Sequence, residues 1–248
     1  MSVIYNGYNR HGYLEGLVGD SISAIPVIKH IALTGPTFMQ SINPEVAGLI
    51  PKYLGIKPMY LMPNSAADLI YKVSIHELFE RYQHTYHPTV GLFHLLGFNT
   101  NGEAAIRPEI EFEVRDEHPR YDFVISAISR ANGVRMWPLD EWRALIPQLP
   151  GTVCMVGLES DGRPFEGIDY YYDHPLADVA AVLSKAGVVI TIDNGISRLM
   201  HAVGGKHLLL CSNAVQLNWG GYPEAHILYG PPKEFGVQNV LDKVRSIS

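Results

Sequence analysis

Asp193, Asn194 and Gly195, with Arg198 three residues further on, are the group in this chain best suited to chemistry. They lie between a β-branched apolar run, Val188–Ile192, and a stretch in which Ile196, Leu199, Met200 and Val203 recur at helical spacing until Gly204 and Gly205 stop it. The pattern reads as strand, turn, helix. A turn of that kind aims backbone N–H groups at one point, and the helix dipole adds positive potential there, so its natural occupant is a phosphate. Arg198, one turn into the helix, offers a planar guanidinium to the same anion. An ordinary capped βα unit carries the same pattern, so the rest of the chain must distinguish the two.

Asp20 is the second candidate. It ends a glycine-rich run containing Gly7, Gly12, Gly16 and Gly19, which follows a strand expected over 2–5, and it stands at the start of a helix expected over 21–31. The glycine spacing is not the dinucleotide fingerprint GxGxxG. An aspartate at this place is either a helix N-cap or a carboxylate at the C-terminal edge of a parallel strand, where α/β sheets hold their ligands. Pro26 inside the helix implies a late start or a kink.

The elements that must position these residues alternate along the chain. In the first half, strands are expected over 2–5, 37–42 and 58–62. Helices are expected over 21–31, 44–54 (opened by Asn43 and Pro44), 66–83 and 89–96. Residues 97–119 change character. Turn-formers at 99–102 precede the charge-dense run EIEFEVRDEH, where Ile110, Phe112 and Val114 alternate with acids, as in an extended crossing segment. The second half is a cleaner series, with strands at 122–128, 152–158, 188–192, 207–211 and 227–229. Glu159 closes the second of these. The helices are one opened by Pro138 with Trp142, Leu145, Ile146 and Leu149 facing inward, then 176–185, the stretch behind Gly195, and 237–246. Strands alternating with helices predict parallel sheets covered on both faces. The expectation is α/β: two Rossmann-like domains, 1–115 with the linker from about 97, and 116–248, with a cleft between them.

Composition agrees with that class and narrows the partners. The 248 residues are 47% apolar and 18% charged, with a net charge of −6, which argues against a nucleic-acid or membrane footprint. Cys154 and Cys211 lie in apolar strand-like runs and read as buried thiols of a reducing compartment. No signal peptide opens the chain and no apolar run reaches the length of a membrane span, so a cytoplasmic location is expected. His76, His84 and His87 have no acid or cysteine at a ligand spacing, and no metal site is expected.

Three segments in order, VGDSISAIPVIKHI (18–31), SRANGVRMWPLDEW (129–142) and TIDNGISRLMHAVGG (191–205), resemble the ADP-heptose–lipopolysaccharide heptosyltransferases, the GT-B glycosyltransferases of family 9. The family pattern at the third segment runs Asp-Thr/Ser-Gly-x-x-His. The resemblance implies a GT-B fold whose two sheets face across the cleft, with an acceptor-side N-terminal domain and a C-terminal domain that binds the nucleotide sugar. It implies that Asp20 is the general base on the acceptor hydroxyl. Arg135 stands where the family has a lysine facing the donor phosphates, with Ser129 and Arg130 in the loop beside it. Asp193, Asn194 and Gly195 match the donor-phosphate turn, and Glu159 falls near the nucleotide ribose. Arg198 replaces the family's histidine, a departure that bears on the fine geometry of the site or on donor identity.

The chemistry is coherent on its own terms. A nucleoside-diphosphate leaving group needs its developing charge stabilised, and Arg130, Arg135, Arg198 and the amides at 194–195 supply that without a metal. No DxD triplet is present. One carboxylate, Asp20, suffices as base for an inverting displacement. The partners implied are a nucleotide-sugar donor and an acceptor that is a glycan, a lipid-linked compound or another hydroxyl compound. No cofactor is implied, and a nucleic-acid acceptor would need a local basic patch. Two further readings stay open: a non-catalytic nucleotide-sugar-binding relative, and a GT-B-like enzyme of other specificity, such as an epimerase or a nucleic-acid-modifying glycosyltransferase.

Overall fold

The short, β-branched strands of this chain pair in parallel throughout the computed structural model, which describes residues 2–6, 18–40, 43–58, 69–73, 81, 87–100, 106–129, 136–211, 225–230 and 235–247. Two compact units form, Met1–Glu111 and Phe112–Ser248.

In the first unit, β1 (Ser2–Asn6), β2 (Thr37–Gln40), β3 (Lys57–Pro58) and β4 (Leu69–Val73) stand in the order β3-β2-β1-β4. α1 (Val18–Ala32) buries Ile22, Ile25, Ile28 and Ile31, and α3 (Pro88–Leu95) buries Val90, Leu92 and Phe93. Between them in sequence, α2 (Pro44–Ala47) is a single turn capped by Asn43, whose Oδ1 accepts from Glu45 N at 3.0 Å and Val46 N at 3.3 Å. Pro26 lies inside α1 and removes the donor that the Ile22 carbonyl would have met. The neighbouring Ser23 carbonyl accepts from the buried Thr89 hydroxyl of α3 at 3.0 Å, so the two helices are tied at the weakened turn. His87 caps α3, its Nδ1 accepting from Thr89 N at 3.3 Å. That is its structural use, whereas His76 and His84 lie outside the described residues.

Three expectations are corrected here. Residues 69–73 of the expected helix over 66–83 are the strand β4. The run LIYKV is branched and aromatic, and it pairs residue for residue with β1 from Ser2↔Leu69 to Asn6↔Val73, so long-range pairing overrides the helical spacing. The expected helix over 44–54 stops after one turn, because Gly48 and Pro51 interrupt it and Lys52–Leu54 re-form as a 3₁₀ turn. Pro26 does not delay α1, which starts at Val18 and carries Asp20 in its first turn rather than ahead of it.

In the second unit, β5 (Phe123–Ser126), β6 (Val153–Gly157), β7 (Asp169–Tyr172), β8 (Val188–Ile192), β9 (His207–Cys211) and β10 (His226–Tyr229) form one sheet, ordered β10-β9-β8-β5-β6-β7. Counted within the unit, the strands run third, second, first, fourth, fifth, sixth, the order of dinucleotide-binding sheets. β7 is a strand beyond those read from the sequence. α4 (Leu139–Leu145), α5 (Leu176–Lys185), α6 (Gly195–Val203) and α7 (Val237–Ile247) accompany the sheet. The expected inward face of α4 is present: Trp142, Leu145, Ile146 and Leu149 are buried. Trp137 packs edge-on against Trp142 and stacks on Phe235, and its indole N–H donates to Phe235 O at 3.2 Å. Cys154 and Cys211 are free, buried thiols, both pushed up to about 12 by burial.

The crossing segment is held from both ends. Glu109 pairs with Lys29 and accepts from Tyr53 Oη at 3.0 Å, and Glu111 N donates to Leu49 O at 2.8 Å. Further along, Asp178 accepts from Arg115 at 2.9 Å and lies 3.1 Å from His118, while Lys185 donates to the His118 carbonyl.

Candidate functional site

The winding of the second sheet reverses between β5 and β8, and ligands of open α/β sheets sit outside the carboxyl ends of strands at such a point. β5 and β8 run side by side to the pair Ser126↔Thr191, and β8 is buried along its whole length. Its carboxyl end is Asp193-Asn194-Gly195, so the turn singled out in the sequence occupies the reversal.

Asn194 organises that turn. With φ −149° and ψ −172° it is extended, and its Oδ1 accepts from Ile196 N at 3.0 Å and Ser197 N at 3.1 Å, capping α6. Ser197 answers in a reciprocal box: its Oγ accepts from Asn194 N at 3.3 Å and donates to Asn194 O at 2.7 Å. The Asn194 amide then reaches back to β5, Nδ2 donating to Ser126 Oγ at 2.9 Å and to Ile128 O at 3.0 Å. The cap thereby takes up the Ile196 and Ser197 N–H groups. The Gly195 N–H, at the first position of α6, meets no acceptor among the described residues and remains available to an anion.

Arg198 and Asp193 are both buried, at 6% and 3% exposure, and Arg198 Nη2 lies 3.4 Å from Asp193 Oδ1. The guanidinium expected to meet a phosphate thus pairs with the first residue of the same turn. A buried cation with a partner of this kind keeps its charge and its orientation.

The remaining candidates are distributed as follows. Ser129 is half-buried just beyond β5, on the run that leaves the reversal. Arg130 and Arg135 lie outside the described residues. Glu159 follows β6 in a 3₁₀ turn, and its carboxylate receives Arg163 at 3.3 and 3.1 Å, while its N–H donates to Asp173 Oδ1 at 3.3 Å. Asp173 holds the positive φ of 54°, a conformation that aspartate tolerates better than most residues. Asp20 belongs to the first unit, where α1 follows β1, and the winding of that sheet also reverses beside β1, against β4. Each unit therefore carries one candidate group at its own reversal.

Sequence reasoning missed Ser126 and Ser197. The spacing Asn194-x-x-Ser197 is the signal for the second, since a capping box needs its partner three residues on. Nothing in the sequence flags Ser126, because its bond to Asn194 spans 68 residues. Among the described residues, no group of three or more His, Cys, Asp or Glu is placed to hold a metal ion, and no helix is long and apolar enough to cross a membrane.

No family model matches the sequence. It is 27% identical over 200 residues to lipopolysaccharide heptosyltransferase 1 of Escherichia coli, a match that takes in 73% of this chain and 61% of that enzyme. The chain thus spans less than two thirds of the length of the curated relative it matches. Among solved structures, it superposes on the iron-containing dodecameric glycosyltransferase TibC of enterotoxigenic E. coli with a TM-score of 0.70 at 16% identity, covering 90% of this chain and 63% of that one. TibC is also solved with ADP-D-β-D-heptose. A glycosyl transferase of family 9 from Veillonella parvula superposes with a TM-score of 0.71 at 11% identity, over 99% and 96% of the two chains. The E. coli heptosyltransferase WaaC, solved with ADP, gives 0.60 at 12% identity, over 100% and 99%. The resemblance read from the three segments is upheld by these likenesses, and the fold is that of the GT-B heptosyltransferase-like glycosyltransferases.

Proposed function

We propose that this chain is a glycosyltransferase that moves a sugar from a nucleoside-diphosphate sugar, with ADP-heptose the first donor to test, to a hydroxyl of a glycan or lipid-linked saccharide. The observation that carries the reading is the β8–α6 turn: a capped helix start with an available Gly195 N–H and a buried Arg198, at the reversal of a dinucleotide-type sheet. The solved relatives with ADP and ADP-heptose support the choice of donor. In this reading the second unit binds the donor. Gly195 N–H and Arg198 meet the diphosphate, with Asp193 orienting Arg198, and Arg130 and Arg135, which follow β5 in the sequence, add charge. That set stabilises the charge developing on the leaving diphosphate, so no metal cofactor is needed. Ser129 borders the phosphates and Glu159 the ribose. Asp20, in the first unit, takes the proton of the acceptor hydroxyl, and a single base of this kind gives inversion.

The test is nucleotide release from ADP-, UDP-, GDP- and CDP-sugars on a saccharide acceptor, with and without EDTA, for wild type and Asp20→Asn. The expected result is release that persists in chelator and falls about 10²-fold or more in Asp20→Asn, with donor affinity retained. Near wild-type turnover in the variant would remove Asp20 as the base. Loss in EDTA restored by Mg²⁺ or Mn²⁺ would remove the metal-free mechanism. Binding without any turnover would leave the chain a nucleotide-sugar-binding protein.

A further inference from the structure

All four hydrogen-bonding positions of the Asn194 side chain are occupied, and by two different elements, α6 and the end of β5. Oδ1 takes two N–H groups of α6, and Nδ2 gives its two protons to Ser126 Oγ and Ile128 O, at the end of β5 and just past it. Capping alone needs only the oxygen, and serine or threonine, the residues of the family pattern at this place, cap as well. Their single hydroxyl proton cannot also make two bonds to a neighbouring strand. The amide is therefore doing something that the cap does not require. Ile128 starts the run that continues through Ser129 to Arg130 and Arg135, the other two cations assigned to the donor phosphates.

We infer that Asn194 is a positioning residue: its amide ties the carboxyl end of β5, at Ser126 and Ile128, to the start of α6, so that Gly195 N–H and Arg198 meet a diphosphate in one fixed arrangement. Ser126 acts through Asn194 and touches no ligand itself. This inference rests on the reading of the β8–α6 turn as the diphosphate site. It also separates the roles within the turn: Asn194 gives the ligand nothing from its side chain, and Gly195 N–H and Arg198 make the contacts.

The experiment measures ADP and AMP binding by calorimetry on the full chain, for wild type, Asn194→Ser, Ser126→Ala and the double variant. Asn194→Ser keeps a capping oxygen and removes both donors. The two lost bonds lower ADP affinity only through the looser arrangement they leave for the ligand to order, so the expected loss is at most about tenfold. AMP, which lacks the second phosphate, is expected to bind within about twofold of wild type. A purely structural role would lower the melting temperature without changing the ratio of ADP to AMP affinity. Ser126→Ala is expected to shift the ratio in the same direction by a smaller factor, and the double variant to match Asn194→Ser, because the two residues share one connection. Wild-type binding of ADP with an unchanged ADP-to-AMP ratio in both single variants, or additive losses in the double variant, would overturn the inference and leave the diphosphate reading standing. Failure of wild type to bind any of ADP, UDP, GDP or CDP would overturn that reading, and this inference with it.

Discussion

Two asparagines, one in each unit, start helices with the same pair of bonds, yet they serve the molecule differently. Asn43 accepts from Glu45 N and Val46 N and is followed by Pro44, and the helix it opens lasts one turn. Asn194 accepts from Ile196 N and Ser197 N and is followed by Gly195. It also reaches 68 residues back to Ser126 and to Ile128. The first cap is local. The second joins two strands at the point where the sheet reverses, and the Gly195 N–H beside it meets no acceptor among the described residues. The difference teaches that a cap signature in a sequence marks a helix start, while its functional meaning depends on which strand ends it connects.

That contrast can be sharpened by breaking each part of it. The largest effect is expected at the Asp193–Arg198 ion pair beside the second cap. Asp193→Asn removes one charge of a buried pair, a change that costs up to about 3–5 kcal/mol, the upper value being reached where nothing else compensates the remaining ion. Urea unfolding of the variant checks this, and a loss below about 0.5 kcal/mol would mean that the pair does not hold the turn. Next comes pH. His207, fully buried with Nε2 2.8 Å from Thr191 Oγ1, is pushed down to about 3 from an ordinary 6.5, first by burial and then by neighbouring His226. Between those values the unfolded chain binds a proton that the folded protein refuses, so stability falls as pH drops from about 6.5 towards about 3. At about pH 4.5 the group should cost roughly 2–3 kcal/mol relative to neutral pH. His207→Gln should flatten that slope in denaturant melts, and an unchanged slope would assign the acid sensitivity to other groups. The smallest effect belongs to the local cap. Asn43→Ser should change stability by only a few tenths of a kcal/mol, since serine caps about as well as asparagine. Asn194→Ser should cost more, about 1–2 kcal/mol, because two further bonds to β5 go with it. Equal losses at the two positions would erase the distinction.

The same contrast explains what could be read from the chain. In the second unit, Val188–Ile192, His207–Cys211 and Leu176–Lys185 match the expected elements to the residue. Each apolar run there is bounded by glycine, proline or a capping residue, so local signals and tertiary pairing agree. In the first unit, LIYKV at 69–73 sits within a stretch whose apolar spacing also fits a helix, and only its pairing with β1 decides for a strand. The one-turn α2 reflects the same competition, with Gly48 and Pro51 prevailing over an apolar pattern. Asp193, Asn194, Gly195 and Arg198 could be singled out together because they are contiguous in the chain, and the structure shows a capped helix start and an ion pair there. The Asp193–Arg198 pairing was not read, although the two lie on adjacent turns. Ser126 was beyond reach, because it acquires meaning only when β5 is laid beside β8. Arg130 and Arg135 stand on the sequence resemblance alone.

Whether the β8–α6 turn receives a nucleoside diphosphate is decided most directly by a crystal structure of the protein with ADP. The diphosphate is expected against the Gly195 N–H and the Arg198 guanidinium, at the carboxyl ends of β5 and β8. Diphosphate seated instead among residues of the Met1–Glu111 unit, or at the opposite ends of those strands, would contradict it.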